Sequence, residues 1–220
     1  MKIIALCGMP GAGKSTFKDV ARQLGVPSWY IGQPLVDLCR RAGVEATYVN
    51  RMAAGSTSGL FDVSDPLKFL AYSLRQMKAA YPDANAVVFD SVRSLDEVQF
   101  LRSGADEVTV IAVVLARTER LQRLVRRDGL PLGQVEQRDR MEIGLCDLFH
   151  RGFGVGQIIA MADDYVLTPN RDTQQPSVTF QVESILQNLG IKPHPASCPR
   201  ATYLRSAPVG TYRTNNERQN

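Results

Sequence analysis

Gly8-Met9-Pro10-Gly11-Ala12-Gly13-Lys14-Ser15 matches the pattern Gly-x4-Gly-Lys-Ser. Glycines at this spacing let backbone N–H groups converge on phosphate oxygens without side chains in the way, and a helix starting at Lys14 adds its partial positive charge. Gly8, Pro10, Gly11, Ala12, Gly13 and Thr16 are therefore expected to line an ATP site. Lys14 should reach the β- and γ-phosphates, and Ser15 should ligate Mg²⁺. A glycine turn that binds nothing explains neither the lysine nor the hydroxyl.

A nucleotide with its metal needs an acid and further cations. Asp90 ends the apolar run Val87-Val88-Phe89, where it can hold Mg²⁺ or its water, although strand-ending aspartates also serve as turn formers or caps. Arg93 follows on the next loop, placed to fork onto an acceptor phosphate. Arg117, Arg120, Arg123, Arg126, Arg127, Arg138 and Arg140 flank the loop Asp128-Gly129-Leu130-Pro131-Leu132-Gly133. Arginine-bearing flaps supply positive charge and exclude water. Most of this row should lie on a solvated helix face, with Arg123, Arg127 and Arg138 the candidates for ATP or the transferring phosphoryl group.

The elements that must carry these residues alternate. Short β-rich runs are expected at 2–7, 29–31, 86–90, 108–115 and 165–167, the first, third and fourth central because they are nearly continuous Val, Ile, Ala and Leu. Helical patterns occupy 14–24, 66–80, about 94–102, 118–127 and 178–189, and Ser94-Leu95-Asp96-Glu97 is a capping box. This order predicts a parallel sheet covered by helices on both faces. The expected domain is 1–189, and the proline-scattered, polar stretch 190–220 reads as a flexible tail.

Composition sets the outer bounds. Hydrophobic residues make up 44% and charged residues 22%, as in globular chains. The net charge is +4, and 20 of the 26 basic residues are arginine, which suits phosphate but does not by itself indicate nucleic acid. Cys7, Cys39, Cys146 and Cys198 have no CxxC spacing, and His150 and His194 do not extend them into a zinc pattern. The run Ile3–Cys7 is too short for an export or membrane-spanning segment. A reduced, cytoplasmic protein without a membrane or nucleic-acid partner is expected; oligomeric state stays open.

The sequence resembles the nucleoside-monophosphate-kinase group of P-loop proteins. Within it, the closer likeness is to the dephospho-coenzyme A kinase-like or adenylate kinase-like nucleotide kinases common in archaea. The likeness covers roughly residues 1–170. It rests on Gly8 to Thr16, on Asp90-Ser91-Val92-Arg93-Ser94 with Glu97-Val98, on Arg138-Asp139 with Glu142, and on Gly152-Phe153-Gly154-Val155-Gly156 leading to Ala160-Met161-Ala162-Asp163. It implies the P-loop three-layer α/β/α fold with a five-stranded parallel sheet, a mobile lid near 128–140 and an acceptor region near 32–80. It also implies ATP with Mg²⁺ as donor. The residues together lead us to expect transfer to a small nucleotide-like acceptor, with Lys14, Arg93 and Arg138 in the catalytic roles.

Two departures stand out. Gly32-Gln33-Pro34-Leu35-Val36 lacks the aspartate and the arginine that the family carries after its second strand, leaving Arg40 or Arg41 as replacements and Asp37 as a substitute acid. An apparent insertion spans 144–151. A phosphate acceptor needs no base, so the missing carboxylate at Gln33 favours a nucleoside monophosphate over a dephospho-coenzyme A hydroxyl. Dephospho-coenzyme A kinase and a non-kinase ATP switch or ATPase remain the alternatives. The Asn-Lys-x-Asp guanine signature is lacking, which favours ATP over GTP.

Overall fold

The computed structural model describes residues 1–62, 65, 67–144, 153–168 and 176–191. Strands β1 (Lys2–Cys7), β2 (Ser28–Tyr30), β3 (Ala86–Asp90), β4 (Glu107–Val114) and β5 (Asp164–Leu167) form one parallel sheet in the order β2-β3-β1-β4-β5. The three runs expected at the centre are there, with Ile4 beside Val88 on one side and Thr109 on the other. Parallel neighbours cannot be joined by hairpins, so every connection crosses over a face of the sheet.

Alternation along β1 divides the core. Ile4 and Leu6 point to one face, where Phe17 of α1 (Lys14–Gln23) and Val182, Ile185 and Leu186 of α9 (Val178–Asn188) cover them. Ile3, Ala5 and Cys7 point to the other. There α4 (Lys68–Ala80) supplies Leu70, Leu74 and Met77, α5 (Leu95–Gly104) supplies Leu101, and α8 (Val155–Ala160) supplies Ile158. Burying each such side chain contributes about 1.5–3 kcal/mol. A buried polar chain ties α4 to β2: Trp29 Nε1 donates to Ser73 Oγ at 2.9 Å, and Ser73 Oγ donates to Ile31 O at 2.8 Å.

Three helices lie where no element was expected: α2 (Gln33–Arg41), α3 (Tyr48–Thr57) and α8. A fourth corrects the expected loop at 128–133. Gly129, at φ 66°, closes α6 (Arg117–Asp128), and α7 (Leu132–Ile143) begins directly after Pro131, so Gly133 is helical. Val135 then packs on Leu121 and Leu124, making α6 and α7 a hairpin. The α4 pattern begins at Lys68, and Pro66 lies outside the described residues.

On the β5 edge, the Gln181 side chain pairs with a strand residue. Its Oε1 accepts from Leu167 N and its Nε2 donates to Leu167 O, both at 2.8 Å. The described chain runs through Ile191, which packs partly buried against the core. The expected tail beyond it, like Cys146, Cys198, His150, His194 and the insertion, lies outside the described residues. Among those described, no helix is long and apolar enough to cross a membrane.

Candidate active site

Strands β1 and β3 end side by side, and the residues following them build one wall of a cleft of about 470 Å³. The glycine-rich loop leaves β1 through Gly8, at φ 143°; a Cβ there would sit 2.5 Å from Val113 O, so only glycine fits. Gly13, at φ 105°, caps α1 in a conformation that favours glycine. Thr168 Oγ1 donates to Ala12 O at 2.6 Å, and Arg120 Nη1 donates to Pro10 O at 3.3 Å, fixing the loop from two sides.

Lys14 bends over this loop and donates to Gly8 O at 2.5 Å and Met9 O at 3.4 Å. Burial pushes its pKa below the ordinary 10.5, against the opposing pull of Asp90 and Glu142. Ser15 and Thr16 are exposed on the first turn of α1. Cys7, beneath the loop, is a free thiol raised to about 12 by burial, so it stays protonated at neutral pH.

Asp90 is buried at the end of β3. Its Oδ2 lies 2.6 Å from Lys18 Nζ, while Oδ1, also buried, has no hydrogen-bond partner. An orphaned carboxylate oxygen beside a phosphate loop fits a cation or its water shell. Among the described residues no cluster of three His, Cys, Asp or Glu could hold a metal. That is compatible with Mg²⁺, which takes one or two protein ligands and completes its shell with phosphates and water. Ser15 and Asp90 suit such a role.

Ser91 follows at φ 81°, the one non-glycine residue with positive φ among those described, and gives its N–H to Leu6 O at 3.1 Å. Strain of this kind is stored where the surrounding structure fixes it. Ser94 then caps α5 by accepting from Glu97 N, and the Glu97 carboxylate accepts from Arg93 N at 2.6 Å. The Arg93 side chain lies over the Phe153 ring, 4.5 Å from its centroid, with Nε 4.0 Å from Glu142 Oε2.

The hairpin of α6 and α7 makes the facing wall. Arg123, Arg127 and Arg138 all line the cleft, together with every loop residue expected at the ATP site and with Lys14, Asp90 and Arg93. Arg138 faces Asp128 at 3.6 Å rather than its neighbour Asp139. Arg127 also holds Asp128, keeping that carboxyl below the usual range.

Arg120 departs from the expected solvated face. It is buried and paired with Asp139, Nη1 to Oδ1 at 2.6 Å. Val36, Arg40 and Arg41 are absent from the cleft wall, and Arg40 pairs instead with Asp37 at 2.9 Å. Sequence reading missed Lys18, Tyr30 and the cleft position of Glu142. Lys18 had a signal, since it lies four residues after Lys14 and shares its helix face.

Residues 4–141 match the AAA domain family. A UPF0200 protein of Hyperthermus butylicus is 34% identical over 171 residues, covering 73% of this chain and 82% of its own. The chain belongs to the UPF0200 family. A second UPF0200 protein, from Methanothrix thermoacetophila, is 32% identical over 169 residues, covering 74% and 85%. Among solved structures, TT1252 from Thermus thermophilus superposes with a TM-score of 0.55 at 17% identity, covering 85% of this chain and 97% of that one. Shikimate kinase from Bacteroides thetaiotaomicron gives 0.50 at 14%, covering 86% and 98%. At these identities the likeness is one of fold: this UPF0200 protein has the kinase-like P-loop architecture.

Proposed function

We propose that the chain transfers the γ-phosphoryl group of ATP to a small nucleotide-like acceptor, a ribo- or deoxynucleoside monophosphate. The observation carrying this reading is that the glycine-rich loop, Lys14, Arg93, Arg123, Arg127 and Arg138 line one cleft. Phosphoryl transfer asks little covalent chemistry of a protein and much positive charge in fixed positions. In this reading Lys14 leaves the loop carbonyls for the β- and γ-phosphates, and the amides between Gly8 and Thr16 cradle them. Bound Mg²⁺, held by Ser15 and Asp90, would neutralise charge on the phosphate oxygens. Arg123 and Arg127 hold the donor, and Arg93 orients the acceptor phosphate. Arg138 meets the charge that develops as an acceptor oxygen bonds to the γ-phosphorus and ADP departs. The α6–α7 hairpin acts as the lid.

Glu142 supports a second reading. It is a buried carboxylate on the cleft wall beside Arg93, where it can take the proton of a hydroxyl acceptor such as dephospho-coenzyme A.

The deciding experiment supplies ATP, Mg²⁺ and, one at a time, nucleoside monophosphates, nucleosides and dephospho-coenzyme A, and follows ADP release with product masses. ADP release that depends on a monophosphate is expected. Release that depends only on a hydroxyl acceptor selects the second reading. ATP hydrolysis indifferent to every acceptor sinks both and leaves a switch or ATPase.

A further inference from the structure

We infer that Lys18 is a positioning residue that divides the work of the Asp90 carboxylate, holding Oδ2 so that Oδ1 is offered to Mg²⁺. The inference rests on the reading of the cleft as an Mg²⁺–ATP site and names a residue that neither the sequence motif nor the family likeness assigns.

A carboxylate has about four acceptor positions and, when buried, needs them met. At Asp90 only one side is met, by Lys18 Nζ at 2.6 Å. The neighbouring amide does not serve the other, because the Ser91 N–H is given to Leu6 O at 3.1 Å. Rotation about the aspartate χ2 is broad and roughly two-fold, so an untethered carboxylate would present either oxygen at many angles. An ammonium locked onto Oδ2 removes that freedom and leaves Oδ1 aimed by default. Lys18 is itself only partly exposed, at 24%, and lies on the cleft wall.

The position of Lys18 on α1 adds a constraint. Ser15, the other expected magnesium ligand, sits three residues earlier on the same helix. Residues three apart are neighbours on one helix face, so one rigid element sets the hydroxyl and, through Lys18, the carboxylate. Partners that orient a ligand in this way matter nearly as much as the ligand itself. Lys18 in the metal's own place is the competing arrangement, and it predicts the opposite response to substitution.

The test uses the full chain and the non-hydrolysable analogue adenosine 5′-(β,γ-imido)triphosphate, with affinity measured calorimetrically across a series of Mg²⁺ concentrations. Lys18→Met should raise the Mg²⁺ concentration giving half-maximal enhancement by about tenfold or more. Lys18→Arg, which keeps the charge, should recover most of the loss. Lys18→Gln, which removes the charge and shortens the reach to Asp90, stands in if the methionine variant does not fold, and should shift the same way. An unchanged or lowered Mg²⁺ requirement in a folded Lys18 variant, with wild type responding to Mg²⁺, overturns this inference alone. Analogue binding by wild type that ignores Mg²⁺ overturns the reading of the site and the inference with it.

Discussion

Arg120 and Asp139 join α6 to α7 through a two-pronged ion pair shut away from water, with Nη1–Oδ1 at 2.6 Å and Nη2–Oδ2 at 3.4 Å. The same guanidinium donates to Pro10 O, so one side chain links the arginine-bearing hairpin to the phosphate loop. Breaking a buried pair strands a charge, at a cost of about 3–5 kcal/mol. Asp139→Ala should therefore lower the denaturant midpoint strongly and weaken ATP binding too. An Arg120→Met, Asp139→Leu double variant should regain much of the stability, since neither charge is then stranded. A near-wild-type midpoint for the single variant would show that the pair contributes little.

Lys14→Ala should abolish turnover while leaving the circular dichroism spectrum unchanged. The side chain bridges loop carbonyls at the cleft rather than filling the core, so its loss removes a cation and little packing. Persistent acceptor-dependent ADP formation in this variant would remove the loop from the mechanism.

The depressed pKa of Lys14 gives ATP binding a pH signature. Lys14 holds this proton less tightly than free lysine does, because burial penalises the charged form. Phosphates favour the charged form, so binding takes up a proton in the alkaline window between the lowered pKa and 10.5. Affinity should then fall as pH rises through that window. Calorimetry in buffers of different ionisation enthalpy measures the uptake directly, and zero uptake across the window would contradict it.

Arg138→Ala separates a lid charge from a surface charge. Arg138 is about half exposed, at 47%, and its partner is Asp128 at 3.6 Å. If it acts on the transition state, kcat should fall by on the order of 10³-fold with little change in ATP affinity measured without acceptor. If it only pairs with Asp128, stability should change by at most a few tenths of a kcal/mol and kcat should hold.

The segment 145–152 should be removable. Gly144 N and Phe153 N both donate to the same Met141 carbonyl, at 3.2 and 2.9 Å, so the chain leaves and returns at nearly one point. Replacing 145–152 by one or two glycines should shift Tm by no more than a few degrees, because loop closure is a slow function of length. A large drop would show that the segment packs on the body.

Much of this was readable before the fold was known, for identifiable reasons. The three central strands are legible because buried parallel strands are continuous in Val, Ile, Ala and Leu, and the P-loop because its spacing answers to phosphate geometry. The short helices were quieter. Among the α3 residues whose burial is described, Gly55 alone is buried, with the Phe61 ring against it, so 49–57 present no apolar stripe to detect. Gly133 reads as a loop residue until Pro131 is seen to start a helix before it. Arg120 and Arg123 look alike in sequence. Their fates separate only when α7 folds back and brings Asp139 onto one of them, a contact across 19 residues that local spacing does not encode.

The pairing of Gln181 with Leu167 has a consequence for how copies of this chain meet one another. A sheet ending in an open strand is a template, and a second chain can add to it through the same N–H and C=O groups that build the interior. At Leu167 both groups are already engaged by a side-chain amide that imitates one more strand residue and then stops. The exposed apolar side chains nearby, Tyr165, Leu167 and Phe180, therefore flank a backbone that offers no ladder to extend at that point. Gln181→Leu should uncover the template while adding apolar surface, and self-association that rises with concentration in light scattering is the expected outcome; a variant scattering like wild type would show that the amide does not guard this edge.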